Sequence, residues 1–200
     1  MNELIQALKI SIPQAVEDFN TVRLPMIEKS WGRSFKQEML NENQVTVEIA
    51  KNFARPLNNC IFRYTNAILP QFTEHTTDGS DYVYGDILIE DKNSFSADSN
   101  GWVGNGFKKT PIHLLKKFKC DSNGRIISLF AAIVDLSTCS SQWSDKKIDT
   151  NRSVISFEVS DYNKISIIHG NLKLNKKYIK PILIDIKDIA WQTENLQTFL

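Results

Sequence analysis

Apolar residues recur with helical spacing through the first quarter of the chain. One such stripe consists of Ala15, Val16, Phe19 and Val22, and this spacing is typical of an amphipathic helix. Pro13 suits the first position of that helix, because the backbone N–H that proline lacks makes no hydrogen bond within the helix at that position. Pro25 is expected to end or kink the helix.

Helical spacing returns in residues 27–40 and 45–53. The second stretch is also compatible with a strand, and a helix is favoured. The pattern breaks at residues 56–59. Residues 1–58 are therefore predicted to form a helical N-terminal part.

Strand-like runs follow in residues 60–136. Short β-like runs occupy 60–65 and 69–75. Gly85-Asp86 lies between two apolar triplets, which predicts a two-residue hairpin loop with Gly85 in the positive φ of a type II′ turn. The run at 125–136 is apolar and rich in β-branched residues, which predicts a buried central strand.

A helix is predicted between the hairpin and the central strand. Residues 93–107 form a polar loop with three glycines, and loops of this length are uncommon unless they are functional or mobile. Thr110-Pro111 then supplies an N-cap and a proline at the first helical position. The residues that follow at helical spacing are Ile112, Leu115 and Phe118.

Residues 137–200 are predicted to add further strands. These are strands at 154–159, 164–168 and 181–186, with a hairpin loop at 161–163 and a basic segment at 172–180. The chain is then a single α/β (α+β) domain of 200 residues. Its parts are the helical 1–58, the core 60–136 and the C-terminal strands and basic segment 137–200.

The predicted hairpin brings charged residues together at one end. With Gly85-Asp86 as the loop, Asp81 lies opposite Glu90. Directly opposed residues have Cβ atoms roughly 5 Å apart, and two carboxylates there need a positive partner. Lys92 points to the same face as Glu90, because side chains alternate along a strand. Two acids and a lysine at a strand end can hold a hard divalent cation and steer a water molecule.

These residues resemble the PD-(D/E)xK nuclease motif, in which an upstream Asp is followed by Glu-x-Lys at a strand end. Asp81 and Glu90-Asp91-Lys92 occupy those places, with Ser80 where the motif has proline. The resemblance implies an αβββαβ restriction-endonuclease-like core around a central mixed β-sheet, and the predicted order of hairpin, helix and buried strand matches it. It also implies Mg²⁺ held by Asp81, Glu90 and the backbone carbonyl of Asp91, with Lys92 acting on the attacking water.

Other residues compete for places in this site. Asp86 and Asp78 are alternative first metal ligands, and both also suit turns. Asp86 requires the chain to bend just after it, because four residues of extended strand span about 13 Å. Glu48, before the hairpin, is a candidate for the helix glutamate that often completes such a site.

A second Asp-x-Lys triplet, Asp185-Ile186-Lys187, also follows an apolar run and has Asp161 upstream. Only 13 of the 200 residues remain after Lys187. That is too few for both the helix and the strand that the core requires, so the site at Glu90 is favoured.

Charge is unevenly distributed along the chain. The formal net charge is +1, yet residues 1–100 carry 9 Lys/Arg and 14 Asp/Glu, whereas residues 101–200 carry 15 and 9. A basic half joined to an acidic cluster permits nucleic-acid binding. The candidate phosphate contacts are Lys108, Lys109, Lys116, Lys117, Lys173, Lys176 and Lys177. The candidate contacts to base edges are Asn100, Trp102 and Asn105.

The remaining chemistry of the chain excludes several classes of site. Three widely spaced cysteines form neither a metal pair nor a disulfide framework, which favours a reducing cytoplasm. The histidines lack zinc-site spacing, and His113 is expected on the surface or in the packing of the predicted helix. The sequence shows neither a signal peptide nor an apolar run near 18 residues, so no transmembrane helix is expected.

The resemblance implies an Mg²⁺-dependent endonuclease that cuts double-stranded DNA at a specific short sequence, as a type II restriction enzyme does. A homodimer is expected, because both strands of a palindrome must be cut. A DNA methyltransferase acting on the same sequence is an expected partner. Two alternatives remain open: a non-catalytic DNA-binding or interaction module of the same fold, and a structure-selective repair or recombination nuclease.

Overall fold

The computed structural model describes residues 1–35, 45–75, 80–95, 101–105, 110–139 and 152–189. The helices in these residues are α1 (Asn2–Asp18), α2 (Leu24–Trp31) and α3 (Val45–Ile68), with a π-helical turn, Phe19–Arg23, between the first two. The first strands are β1 (Phe72–Glu74), β2 (Tyr82–Tyr84), β3 (Ile87–Ser94), β4 (Trp102–Asn105), β5 (Ile112–Cys120) and β6 (Ile126–Asp135). The later strands are β7 (Arg152–Ile155), β8 (Ile165–His169), β9 (Asn171–Asn175), β10 (Tyr178–Ile182) and β11 (Ile184–Asp185).

A mixed sheet forms the centre of the fold. Its strand order is β1-β2-β3-β5-β6-β11, and β8 also pairs with β6. The pair β3/β5 is parallel, while the other pairs in this sheet are antiparallel. Two separate two-stranded ribbons, β4/β7 and β9/β10, complete the described strands. The chain is therefore a mixed α and β fold around a mixed central sheet, as the sequence predicts at this coarse level.

The sheet buries a different layer on each of its faces. Helices α1 and α3 cover one face, where Leu114 and Phe118 of β5 join a core that includes Leu8 and Phe53. The ribbons cover the other face, where Leu115 packs in a second core with residues of β4, β9 and β10. Burial on both faces explains why β5 and β6 contain near-continuous buried runs.

The helix predicted over 110–119 is wrong, because this stretch is strand β5. Ile112, Leu115 and Phe118 do have helical spacing, but the side chains between them are buried as well. A helix covered on one side buries only one stripe, whereas a central strand buries both of its faces. Placement between β3 and β6 decides the outcome, since tertiary context overrides local propensity.

The strand predicted over 60–65 is also wrong, because α3 continues through Ile68 with Pro56 inside it. The helix predicted over 45–53 is confirmed as the start of α3. A buried stripe runs through the later part of α3, made of Phe53, Leu57, Cys60, Ile61 and Thr65. These residues are four, three, one and four positions apart, which is helical spacing, and this packing outweighs the proline. The predicted boundary between the N-terminal part and the core at 58–60 therefore falls inside a helix.

Of the two prolines in α1 and α2, only Pro13 lies elsewhere in its helix than predicted. Pro13 lies inside α1, which begins at Asn2, so its predicted place at a helix start is wrong. The interruption expected at Pro25 is present, since a π turn ends at Arg23 and α2 begins at Leu24. Proline cannot donate the i→i−4 hydrogen bond, and a π turn lets the chain pass that gap. The helix predicted over 27–40 ends at Trp31, and residues 36–40 lie outside the described part.

The C-terminal strands occur close to their predicted places but pair differently. The hairpin loop predicted at 161–163 is wrong: a 3₁₀ helix, Val159–Lys164, occupies this stretch. The strands on either side of it do not pair, because β7 joins β4 and β8 joins β6. The basic segment predicted at 172–180 folds into the β9/β10 ribbon.

Among the helices within the described residues, none has the length and apolar character needed to cross a membrane.

Candidate active site

The hairpin that organises the site has the predicted register. Tyr82 pairs with Ile89 and Tyr84 with Ile87. Gly85 takes a φ of 59° in the connecting turn, a conformation that costs glycine little. Turn chemistry and alternation are local properties, which is why the sequence predicts this element correctly.

Asp81 immediately precedes β2, and its side chain caps the backbone of β3. Its N–H donates to the carbonyl of Ile89 at 3.0 Å. Its Oδ2 accepts the N–H of Asp91 at 2.7 Å. The Asp81 carboxylate therefore accepts a β3 hydrogen bond that a backbone carbonyl would accept if the pairing with β2 continued. It lies against the β3 backbone between Glu90 and Lys92.

Glu90 and Lys92 form an ion pair on one face of β3, with Lys92 Nζ donating to Glu90 Oε1. They share a face because they are two residues apart on a strand. Glu90 is 1% exposed, while the Lys92 side chain keeps 16% of its surface accessible. The pair is therefore mostly buried, and only the Lys92 side chain is partly accessible to solvent.

His113 lies beside this pair, opposite Glu90 in the parallel register of β3 and β5. Its Nδ1 lies 3.1 Å from the carbonyl oxygen of Pro111, which can only accept, so Nδ1 carries the proton. Burial, reinforced by the Lys92 charge, lowers the pKa of His113 to about 4. A neutral imidazole therefore stands beside Glu90 at neutral pH. The helix that the sequence predicts here would not place His113 beside Glu90, whereas strand β5 does.

Asp91 points to the opposite, helix-covered face of β3. Its Oδ2 accepts from Lys116 Nζ at 2.6 Å and from the hydroxyl of Tyr82 at 3.1 Å. Asn58 of α3 joins this group, since its Oδ1 accepts from Lys116 at 3.2 Å and from Asn93 at 2.8 Å. We call these five residues the buried polar cluster. They tie α3, β2, β3 and β5 together beneath the site.

Burial dominates the electrostatics of the buried polar cluster. The side chains of Asp91 and Lys116 are both 0% exposed. Burial raises the pKa of Asp91 and lowers the pKa of Lys116, while their mutual attraction opposes both changes. Burial and the Asp91 charge also raise the pKa of Tyr82.

The alternative metal ligands lie away from Glu90 or outside the described residues. Asp86 is exposed in the hairpin turn, and an extended strand separates it from Glu90 by about 13 Å. Asp78 and the side chain of Glu48 lie outside the described residues.

The residues of the second triplet have local structural partners. Asp161 is buried and its Oδ2 accepts the N–H of Glu158 at 3.3 Å, as part of the cap of the 3₁₀ helix. Asp185 Oδ1 accepts the N–H of Lys187 at 3.0 Å in a local turn. These contacts account for both carboxylates without a shared site.

Three of the residues predicted to contact DNA have buried side chains. Lys116 belongs to the buried polar cluster. Lys117 donates to the carbonyl of Gly101 at 2.8 Å and lies 4.7 Å from the ring centroid of Trp102. Trp102 is itself 1% exposed, and its indole N–H donates to the carbonyl of Lys116 at 2.9 Å. None of these groups can meet a DNA surface in this conformation.

The other predicted DNA contacts divide into two groups. Lys173, Lys176 and Lys177 are exposed on the β9/β10 ribbon. The remaining candidates lie outside the described residues: Asn100, Lys108, Lys109 and the side chain of Asn105.

The carboxylates at the end of the hairpin are oxygen donors of the kind that Mg²⁺ binds. Mg²⁺ is usually held by one or two carboxylates together with waters and substrate phosphates, and Asp81 and Glu90 supply two. The Asp91 N–H points to Asp81, and the carbonyl of the same residue points to that side of the strand as well. In the described part of the chain, no group of three or more His, Cys, Asp or Glu side chains is placed to hold a metal ion. A site here would therefore depend on these few oxygens.

No protein-family model and no curated protein matches this chain.

Proposed function

We propose that the protein is an Mg²⁺-dependent endonuclease that hydrolyses phosphodiester bonds of double-stranded DNA at a specific short sequence. It would act as a type II restriction enzyme with a restriction-endonuclease-like core. The observation that carries this proposal is the Glu90–Lys92 pair on one face of β3, beside an Asp81 carboxylate that caps the same strand. Carboxylates in this arrangement can hold a metal ion that activates a water for phosphodiester hydrolysis, and the ammonium can steer that water.

Asp81, Glu90 and the backbone carbonyl of Asp91 would hold Mg²⁺. When bound, the ion would neutralise charge on the phosphate and lower the pKa of a coordinated water. Asp81 is held in place for this role by its hydrogen bond to the Asp91 N–H. Glu90 is fixed by burial and by Lys92.

Lys92 would orient or deprotonate the attacking water and offset the charge of the phosphorane. The Lys92 side chain is the more exposed member of the pair, so a substrate can approach it from solvent. His113 remains neutral beside it and adds no competing charge.

Double-stranded DNA would lie across the ribbon-covered face of the sheet. Leu115, which lies opposite Lys92 in the strand register, packs in the same core as Leu172 and Ile179 of the β9/β10 ribbon. The exposed ribbon lysines therefore belong to the same side of the molecule as Lys92. A homodimer would present two such sites to the two strands of a palindrome, and a methyltransferase of the same specificity would protect the host DNA.

The test is cleavage of a supercoiled plasmid by the purified protein with Mg²⁺ and with EDTA. We expect Mg²⁺-dependent linearisation, and discrete fragments from a long DNA. Asp81→Ala and Glu90→Ala should each abolish cleavage, and the double variant should be no worse, because residues that act as a unit are not additive. Cleavage without a divalent ion would contradict the proposal. A smear instead of discrete fragments would indicate a structure-selective repair or recombination nuclease.

A non-catalytic DNA-binding module of the same fold is the second candidate. The observation in its favour is the depth of Glu90, which is 1% exposed and already paired with a lysine. Under this alternative the wild-type protein would bind duplex DNA and leave it intact with Mg²⁺ or Mn²⁺.

A further inference from the structure

The β9/β10 ribbon holds two lysines directly opposite each other. Lys173 and Lys180 are Cα partners in the antiparallel register, so their Cβ atoms lie roughly 5 Å apart on one face. Like charges in such a pair are destabilising. No acidic residue occurs in residues 171–182, and across the described residues no ion pair joins either lysine to a carboxylate.

The ribbon cannot relieve this repulsion by turning over. Leu172 and Ile179 project from it into the buried core. The Ile179 N–H donates to the carbonyl of Phe157 at 2.9 Å, and the carbonyl of Lys177 accepts the N–H of Val159 at 3.2 Å. Packing on one face and these hydrogen bonds therefore keep Lys173 and Lys180 together on the other.

The ribbon tip carries a second unfavourable feature. Lys176 has a φ of 55°, and among the described residues it is the only non-glycine residue with a positive φ. Glycine or asparagine is favoured at such a position. Backbone strain of this kind often marks a functional segment. The tip adds Lys176 and Lys177, both exposed, to the charge of the opposed pair.

Lys180 of the ribbon lies near enough to Lys117 for its charge to affect that residue, which faces the side of the sheet with the candidate active site. Burial, and to a smaller degree the charge of Lys180, lowers the pKa of Lys117 to about 8. Lys117 Nζ lies 3.4 Å from the hydroxyl of Ser94. Ser94 is on β3, two residues after Lys92, and therefore on the same face.

We infer that Lys173 and Lys180 form a clamp for one backbone phosphate of the duplex DNA held at the site. A phosphate can accept hydrogen bonds from two ammonium groups at once, and its charge removes the repulsion between them. This inference rests on the proposed function. It adds Lys180 to the expected interface and assigns both lysines to a single phosphate.

The clamp predicts opposite effects on stability and on DNA binding. Lys173→Glu and Lys180→Glu should each raise the Tm by about 1–4 °C, because each variant replaces a repulsive pair by an attractive one. The double variant Lys173→Glu/Lys180→Glu should lose that gain, since its two acids repel. All three variants should bind a labelled duplex more weakly than the wild type, measured by fluorescence anisotropy in EDTA. Lys29→Glu, an equal charge change on the exposed surface of α2, is the control and should bind as the wild type does.

The salt dependence of binding tests whether one phosphate is shared. Lys173→Ala/Lys180→Ala should flatten the slope of log K against log salt by about 1, the value for one phosphate contact. A flattening near 2 would assign a separate phosphate to each lysine and overturn the clamp.

Other outcomes separate the clamp from the nuclease proposal. A wild type that cleaves DNA, with both charge-reversal variants binding normally, would overturn the clamp alone. Weakened binding in those variants without any Mg²⁺-dependent cleavage by the wild type would support the clamp and overturn the nuclease. Unchanged or lower Tm values in both single variants would contradict the opposed geometry. Equal binding of the wild type to anionic phospholipid vesicles and to DNA would exclude a dedicated DNA clamp.

Discussion

Strand β3 carries a carboxylate–ammonium pair on each of its faces, and the two pairs differ in accessibility. Asp91 and Lys116 are both 0% exposed on the helix-covered face, whereas Lys92 is 16% exposed on the other. The first pair joins residues from neighbouring strands, and the second joins residues two apart on one strand. The same chemical groups therefore hold elements of the fold together on one face, whereas on the other face Lys92 remains accessible to a substrate.

The buried polar cluster is also incompletely satisfied. In the described structure, Asp91 Oδ1 and Asn93 Oδ1 are buried without a hydrogen-bond partner. Unmade hydrogen bonds in the interior cost roughly 1–3 kcal/mol each. The cluster thus specifies how α3 and the strands meet more than it adds net stability.

The largest expected effect is on the accessible face. Lys92→Ala should abolish cleavage and keep DNA binding, and it should also lower the free energy of unfolding, because Glu90 is 1% exposed and loses its positive partner. Plasmid cleavage, circular dichroism and anisotropy measure the three properties. Lys29→Ala on α2 is the matched control and should keep full activity. Full cleavage by Lys92→Ala would remove this lysine from the mechanism.

The next effect is on the buried face and concerns stability. Lys116→Met should lower the free energy of unfolding by about 3–5 kcal/mol, because it leaves Asp91 as an uncompensated buried charge. The double variant Asp91→Leu/Lys116→Met should recover most of that loss, since apolar replacement of both partners removes the desolvation cost. Urea unfolding measures both. A double variant as unstable as the single one would show that the cluster contributes through its other hydrogen bonds.

A comparable effect involves one histidine on each face of the sheet. Burial lowers the pKa of both His113 and His169 to about 4, from an ordinary value of 6.5. The folded state then binds fewer protons than the unfolded state between these two values, so stability is complete above pH 6.5 and falls as the pH decreases to about 4. Each histidine should account for roughly 3 kcal/mol of that loss. His169→Gln should flatten the pH dependence of urea unfolding, and an unchanged profile would contradict the assigned shift.

The smallest expected effect is at the hairpin tip. Asp86→Asn should keep most of the cleavage activity, because Asp86 is exposed in the turn and turns accept asparagine. Kinetics of plasmid cleavage measure this directly. An inactive Asp86→Asn together with an active Asp81→Ala would move the first metal ligand from Asp81 to Asp86.

Local features of the sequence were sufficient for the hairpin and for the pair on its accessible face. The glycine turn and the alternation around it predict the register that pairs Tyr82 with Ile89. They also predict that Glu90 and Lys92 share a face. The apolar, β-branched run predicts the buried strand β6. These features depend on neighbours only a few residues apart, so the chain encodes them without reference to the rest of the fold.

Only the tertiary structure decided which residues are buried beneath the site. Asn58 and Lys116 meet across 58 positions of sequence, and Trp102 covers Lys117 from a separate ribbon. A lysine is ordinarily a surface residue, so nothing in the pattern of 112–120 distinguished a helix with solvated lysines from a central strand. The parallel pairing with β3 decided it, because it placed the Asp91 carboxylate where the Lys116 ammonium could be buried.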